Sequence, residues 1–370
     1  GGRGMVIVYD EAGLRDYFER AVSVSAERPV LIDRFLEDAF EADVDALCDG
    51  EHTVIGGVMQ HIEDAGVHSG DSACVLPPYL LKDQDIEEMR SLTRRFAEAL
   101  GVVGLINVQF AVMNGVVYVL EVNPRASRTI PFVSKAKGVA LARLAARCMA
   151  GEKLAELGLT EDPVMPAGAV AVKEAVFPFN KFNVDVILGP EMRSTGEVMG
   201  FDHSFGMAFA KSQISAGAAL PTGGAVAITV NDPDKATVTP IARRFHAMGF
   251  RILATEGTAR YLRARGVPAE RIYKVGEGRP NLVDGIISRE VSLLINTPLG
   301  KKSQYDDYAM RRAAITYKVP YCTTMSAASA ASDAMIALLS PREKQVRSLQ
   351  EWFGVEAGAE GAVGAGGAVA

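Results

Sequence analysis

Glu121 and Asn123 stand two apart in the run Glu121-Val122-Asn123-Pro124-Arg125, so on a strand their side chains share one face. A carboxylate and an amide oxygen are the hard ligands that Mg²⁺ selects, with the rest of its shell left to nucleotide phosphates and water. Gln109, in Asn107-Val108-Gln109, could join them if the hairpin register allows it. A two-residue turn at Asn114-Gly115 would put Gln109 opposite Leu120, facing away from Glu121. A three-residue loop, Met113-Asn114-Gly115, puts Gln109 opposite Val119 and brings all three groups to one face. The predicted loop is the three-residue one, with Gly115 left-handed. An edge hairpin with an ordinary solvated polar face would carry the same residues, and spacing alone does not separate the two.

Two other stretches could meet an anion. In Gly1-Gly2-Arg3-Gly4-Met5, amides freed of Cβ can approach phosphate oxygens, and Arg3 adds charge, although no Lys-Ser/Thr pair and no following helix make it a P-loop. In Ala65-Gly66-Val67-His68-Ser69-Gly70-Asp71-Ser72, a single histidine sits in a glycine-flanked loop, where a plain hydrogen-bonding role is the common one.

The elements that must carry these residues fall into zones. Up to residue 150, Val6–Tyr9, Val30–Leu36, Val44–Leu47 and Thr53–Ile62 read as strands. Gln84–Leu100 reads as a helix stopped by Gly101. Leu105–Met113 and Val116–Val122 read as the hairpin, and Val139–Ala150 as a second helix. Residues 151–217, punctuated by Pro163, Pro166, Pro178 and Pro190, read as a connecting region packed on the first domain. From 218 to 355 strands (Ala225–Val230, Arg251–Thr255, Ser292–Asn296) alternate with helices (Lys235–Met248, Ala259–Arg265, Asp306–Lys318). That rhythm implies parallel strands with helices on both faces. Residues 356–370 are Gly, Ala and Glu with few large apolar groups, and read as a disordered tail.

Composition narrows the function classes. With 39 Lys+Arg against 45 Asp+Glu, the net charge of −6 argues against nucleic acid or anionic membrane as a general partner. At 48% hydrophobic and 23% charged, the 370 residues are ordinary for globular domains. Cys48, Cys74, Cys148 and Cys322 form no CxxC pair, which fits a reducing, cytoplasmic setting rather than a zinc or disulfide framework. No apolar run has the length of a membrane span. The opening residues already read as a loop, so the chain is expected to be a fragment.

Several runs together resemble the large subunit of carbamoyl phosphate synthetase. They are Glu41-Ala42-Asp43-Val44-Asp45, the segment from Gly66 to Ala73, and Glu121 through Arg128. Pro178-Phe179-Asn180-Lys181-Phe182 and Gly189 through Glu197 join them. The resemblance spans Gly1 to about Trp352, and its specificity lies in the order and spacing of the motifs. It is to the second, C-terminal synthetase half with its regulatory domain. The implied fold class is α/β and α+β multidomain: a partial ATP-grasp domain (residues 1–150) followed by a methylglyoxal-synthase-like open parallel α/β domain (218–355).

By the same resemblance, Arg34, Leu36 and Glu41 fall where the family holds adenine and ribose, and Gly66, Val67, His68 and Ser69 on its next nucleotide loop. Gln109, Glu121 and Asn123 fall on its metal ligands, the first two also contacting nucleotide, and Arg125 and Arg128 near the transferred phosphoryl group. Ser127 stands where many relatives have alanine. The implied reaction is phosphorylation of carbamate by ATP with Mg²⁺ (or Mn²⁺), feeding pyrimidine and arginine biosynthesis. The implied partners are a glutaminase small subunit and further copies of the complete enzyme. Lys235, Thr255, Thr258, Lys274, Asn296 and Thr297 would surround a nucleotide monophosphate inhibitor such as UMP, with Pro298 altering the backbone at the last. Glu63, Asp71, Glu174, Tyr321 and Thr323 match the ornithine-activator site. Helix capping is the other reading of the threonines and the asparagine.

Three alternatives remain beside it. One is a biotin carboxylase-like ligase, which would share the Glu121/Asn123 strand but lack the regulatory domain. A second is methylglyoxal synthase activity, which needs a carboxylate where Asn281 stands. The third is a non-catalytic module that only binds nucleotide and ornithine.

Overall fold

The computed structural model describes residues 5–8, 10–24, 30–36, 39–63, 65–179, 187–297, 307–341 and 344–354. The Gly1–Gly4 cluster, the end of the Pro178–Phe182 motif, Pro298 and the 356–370 tail lie outside them.

A seven-stranded antiparallel sheet carries the first part of the chain. Its strands are β1 (Phe40–Asp49), β2 (Thr53–His61), β3 (Cys74–Leu76), β4 (Val103–Met113), β5 (Val116–Asn123), β6 (Val170–Val176) and β7 (Gly196–Asp202), in the order β5-β4-β1-β2-β3-β6-β7. The proline-punctuated stretch 151–217 thus contributes two strands to this sheet, paired β3–β6 and β6–β7, and a helix at Phe205–Ser215. Its prolines fall outside the strands, which is why they punctuate the region without preventing pairing.

A helix over Asp83–Ala99 lies on one face, burying Met89, Thr93 and Ala97 at four-residue spacing, and the chain reverses after it at Gly101 with φ +59°. Helices over Ile130–Lys137 and Leu141–Met149 cover the other face at the Leu47 and Leu105 end. Val6-Ile7-Val8 and residues 30–36 are irregular rather than strands, and a helix over Glu11–Val24 separates them. Their apolar runs are short, and among the described residues no strand pairs with either, so no ladder makes them β.

The later part forms a parallel sheet, β10-β9-β8-β11-β12, from β8 (Ala225–Val230), β9 (Arg251–Ala254), β10 (Glu270–Arg271), β11 (Val291–Thr297) and β12 (Tyr321–Cys322). β11 is buried along almost its whole length, as a parallel strand covered on both faces must be. One apolar cluster runs from Ile62, Val75 and Val172 of the first sheet through Phe209 to Ile228, Ile295 and Met335, so the two sheets share a core. All four cysteines are buried and unpaired. Among the described residues, no helix is long and apolar enough to cross a membrane.

Candidate functional site

The β4–β5 hairpin corrects one expectation and restores its consequence by another route. Met113 pairs with Val116, leaving a two-residue turn, and Asn114 (φ +55°) and Gly115 (φ +76°) both take left-handed backbone. Two positive φ values in succession define the type I′ turn, whose twist suits a two-residue hairpin and which Asn-Gly favours. The predicted three-residue loop is therefore wrong, although Gly115 is left-handed as expected. The register then shifts between Gln109 and Phe110: Phe110 pairs with Val119 but Gln109 pairs with Glu121, so Leu120 is an extra residue, a β-bulge. Asn107 pairs with Asn123. Gln109, Glu121 and Asn123 consequently share one face, as cross-strand partners do.

That face continues across the sheet. Asp43 pairs with Gln109 and Asp45 with Asn107. Glu41, Asp43 and Asp45 alternate along β1 and all point to it. His61 lies between acids, Nε2 3.2 Å from Asp43 Oδ2 and Nδ1 3.3 Å from Glu41 Oε2. Burial works against the charged imidazole, but Cys74 and Asp43 outweigh it and raise the His61 pKa well above its usual value. Burial likewise pushes Asp43 up, while the His61 hydrogen bond and charge bring it below the ordinary carboxylate range. Asp45, with no cation bonded to it in that set, is pushed up by burial to about 6 despite bonds from Thr129, Ser127 and Asn107.

The loop from Ala65 to Ser72 is fastened to this face from several sides. The Gly66 amide donates to Glu41 Oε1 (3.0 Å), and Gln109 Nε2 donates to Ser69 Oγ (2.8 Å). Buried Lys173 gives its Nζ to the Ser69 carbonyl (3.1 Å), and the His68 amide donates to the Gly189 carbonyl. His68 Nδ1 accepts the Gly70 amide at 3.0 Å, and burial lowers its pKa, so it serves the loop as a neutral hydrogen-bonding residue. Val67 is half-buried beside it. Gly66 has φ +96°, and a Cβ there would meet the Phe35 ring at 2.8 Å. The segment bearing Arg34 (exposed) and Leu36 (half-buried) thus crosses this loop at Phe35.

Glu121 is exposed at the open edge of the face. Asn123 Oδ1 accepts from Arg125 Nη2 at 3.0 Å, and exposed Arg128 reaches Met192. One carboxylate and two amide groups on one face fit a hard divalent cation that draws its remaining ligands from phosphate. The positive charge of Arg125 already rests on the Asn123 oxygen that would serve it. Among the described residues, no group of three or more His, Cys, Asp or Glu is placed to hold a metal by itself.

At the C-terminal ends of the parallel strands a second polar group forms. Buried Thr255 donates from Oγ1 to Thr229 Oγ1 (3.3 Å), and Asn231 Nδ2 donates to the Thr297 carbonyl (3.2 Å). Asn296 donates to Asp307 Oδ2 (2.9 Å) and accepts from Arg311 (3.2 Å). Thr255 is the N-cap of the Glu256–Arg263 helix yet makes no side-chain capping bond, and Thr258 is buried in its first turn, so capping does not account for either. Lys235 is bound to Asp232, and its Nζ lies beside Gly257. Lys274 follows β10 at the same end of the sheet, half-buried. Asn281 caps the Leu282–Ile287 helix in a capping box with Asp284, a structural use that removes it from lyase chemistry.

The junction between the sheets holds an acid pair, Glu174 buried and Glu63 half-buried. Glu63 and Glu174 are both pushed up, to about 7 and about 8, by burial first and in Glu174 next by the Glu63 charge. Both lie close enough to help raise Cys322 to about 12, after burial itself. Tyr321 and Thr323 flank that cysteine, half-buried. Asp71 is instead spent on backbone, accepting the amides of Arg193 (2.7 Å) and Ser194 (2.8 Å).

Residues 1–157 match the family model described as the carbamoyl-phosphate synthase L chain, ATP binding domain, and residues 237–323 match the MGS-like domain. The C-terminal section of the carbamoyl phosphate synthase large chain of Aquifex aeolicus is 50% identical over 96% of this chain and 70% of its own length. This chain belongs to the carbamoyl phosphate synthase large-chain family. The large chain of Gemmatimonas aurantiaca is 62% identical over 95% of this chain and 32% of its own, so the chain spans about a third of such relatives. Among solved structures, the biotin carboxylase domain of Hydrogenobacter thermophilus 2-oxoglutarate carboxylase superposes with TM-score 0.46 at 17% identity, covering 59% of this chain and 54% of that one. By the two family matches the chain carries the ATP-binding domain of that synthase family followed by an MGS-like domain. The buried row Asp43, Asp45, His61, Asn107 and Lys173 was not picked out as a site from the sequence, although acids at alternate positions along β1 were the available signal.

Proposed function

We propose that this chain carries the second phosphoryl-transfer site of a carbamoyl phosphate synthase, phosphorylating carbamate with ATP. A carbamate oxygen attacks the γ-phosphorus, the bond to the bridging oxygen breaks, and carbamoyl phosphate and ADP leave. Such transfer needs alignment and charge neutralisation more than covalent assistance. Arg34, Leu36, Glu41 and the 66–69 loop would hold the nucleoside. Gln109, Glu121 and Asn123 would hold Mg²⁺, which when bound neutralises phosphate charge. Arg125 and Arg128, on the loop after β5, would face the transferred phosphoryl group. The observation that carries this reading is the Leu120 bulge, which pairs Gln109 with Glu121 on the face shared by Asn123. The glutaminase chain that would supply ammonia, and assembly of the complete enzyme, belong to this reading.

The test is ATP formation from ADP and carbamoyl phosphate. Mg²⁺-dependent ATP is expected, and its absence in a folded chain overturns the reaction.

A second site is favoured by Thr255, a helix-start threonine that caps nothing and opens with Thr229 at the strand ends. Lys235, Thr255, Thr258, Lys274, Asn296 and Thr297 would bind the phosphate and base of UMP there. Glu63 and Glu174, with Tyr321 and Thr323, would take the cationic side chain of ornithine at the junction, and Asp71 would act by holding the 193–194 backbone. If UMP binds and no ATP forms, the chain is a binding module.

A further inference from the structure

Asp45 is fully buried in the middle of the first sheet, yet among the described residues no lysine, arginine or histidine is bonded to it. Its oxygens are instead taken by donors from two other elements. Asn107 Nδ2, its neighbour across the β1–β4 ladder, donates to Oδ1 at 2.9 Å. Ser127 Oγ donates to the same oxygen at 2.7 Å, and Thr129 Oγ1 to Oδ2 at 2.5 Å. The two hydroxyls are themselves 2.7 Å apart. Thr129 stands at the N-cap of the Ile130–Lys137 helix, where a threonine ordinarily accepts a helix amide, but it makes no capping bond. Its hydroxyl is committed to Asp45. A buried carboxylate is costly unless its hydrogen bonds are made, and here they are made by the loop between β5 and that helix. The same loop bears Arg125 and Arg128, and it begins at Asn123, which pairs with Asn107.

We propose that Asp45 is a positioning residue for phosphoryl transfer: by collecting Asn107, Ser127 and Thr129 it fixes the arginine-bearing 124–129 loop against the Gln109–Glu121–Asn123 face. This role rests on the reaction proposed above. Asp45 touches no substrate. It acts through the loop, so its loss misplaces the arginines without removing a nucleotide contact. Ser127 becomes meaningful in the same terms, because alanine there would leave Asp45 one donor short.

The experiment is Asp45→Asn in the complete large chain, assayed for ATP formation from ADP and carbamoyl phosphate. Hydrogen–deuterium exchange across residues 124–129 is followed in parallel. Asparagine keeps the shape but turns an acceptor into a donor that faces hydroxyl donors. The expected result is kcat lowered on the order of 10²-fold with KM for Mg·ADP within about 3-fold of the parent. Exchange in 124–129 should be faster, with the β4–β5 ladder unchanged. Parental kcat, or a loss carried by KM with the loop still protected, overturns the role. Should Asp45→Asn not fold, Thr129→Val and Thr129→Ser decide it. Serine retains the hydroxyl and should keep turnover while valine loses it, and equal turnover in the two overturns the role. A parent chain that makes no ATP refutes the reaction itself, and this role with it. Faster exchange in Asp45→Asn would then mark only a structural anchor.

Discussion

Gly115 shows how much one residue decides at this site. It holds φ +76° next to Asn114 at +55°, and the turn they make sets where the β5 ladder starts. A Cβ at Gly115 would meet no atom within 4 Å, so Gly115→Ala tests backbone strain alone. It should cost about 1 kcal/mol in urea unfolding, and a neutral result would contradict the type I′ assignment. At this scale the sequence was legible where chemistry and periodicity coincide. Glu121 and Asn123, two apart on a β run, announce a shared face by their spacing alone. Asp45 was not legible, because its function depends on Ser127 and Thr129 more than eighty positions away meeting it across two strands. No local pattern encodes such a meeting.

Among the elements, the hairpin's existence could be read from Asn114-Gly115 between apolar runs, but its register could not. The bulge at Leu120 has no residue signature of its own; it arises from the combined demands of the tight turn at one end and the Asn107–Asn123 pairing at the other. The strands β6 and β7 were missed for a related reason. They are laid onto an edge by tertiary pairing, and their surrounding prolines mask the alternation. The loop from Ala65 to Ser72, bonded to Glu41, Gln109 and Lys173, meets the 30–36 segment through one close approach, Gly66 under Phe35. Gly66→Ala should lift the 30–36 segment and weaken ATP binding by roughly 10-fold, read by calorimetric titration, since both strain at φ +96° and the clash must be relieved. Unchanged affinity would separate that segment from the nucleotide site.

For the whole molecule, one apolar core joins the antiparallel sheet to the parallel sheet, with Glu63 and Glu174 beside it. Glu63, Glu174 and Asp45 hold their protons more tightly folded than unfolded. Folding therefore gains stability as pH falls from about 8 towards about 5, and loses it as pH rises through those folded values. His61, raised as well, acts in the same direction. His68, held low by burial, opposes it as pH falls through about 6.5, and Lys137, lowered to about 8, opposes it at the alkaline end. Asp43 and Asp49, held low, oppose it only near and below about pH 4. Tm measured at several pH values should be higher in that acidic range than at pH 8, and Glu174→Gln should flatten the trend; a Tm rising towards pH 8 contradicts the junction as described. UMP at about 100 times its Kd should add about 2.7 kcal/mol of stability, and no shift would remove the regulatory site. Gln109, Glu121 and Asn123 would converge on one cation held with nucleotide. The most direct measure is Mn²⁺ binding followed by electron paramagnetic resonance, with and without ADP, in the parent and in Glu121→Gln. Tight Mn²⁺ binding that requires ADP, weakened about 10-fold or more by the substitution with the fold intact, is the predicted result. Equal Mn²⁺ affinity in the two proteins would contradict it.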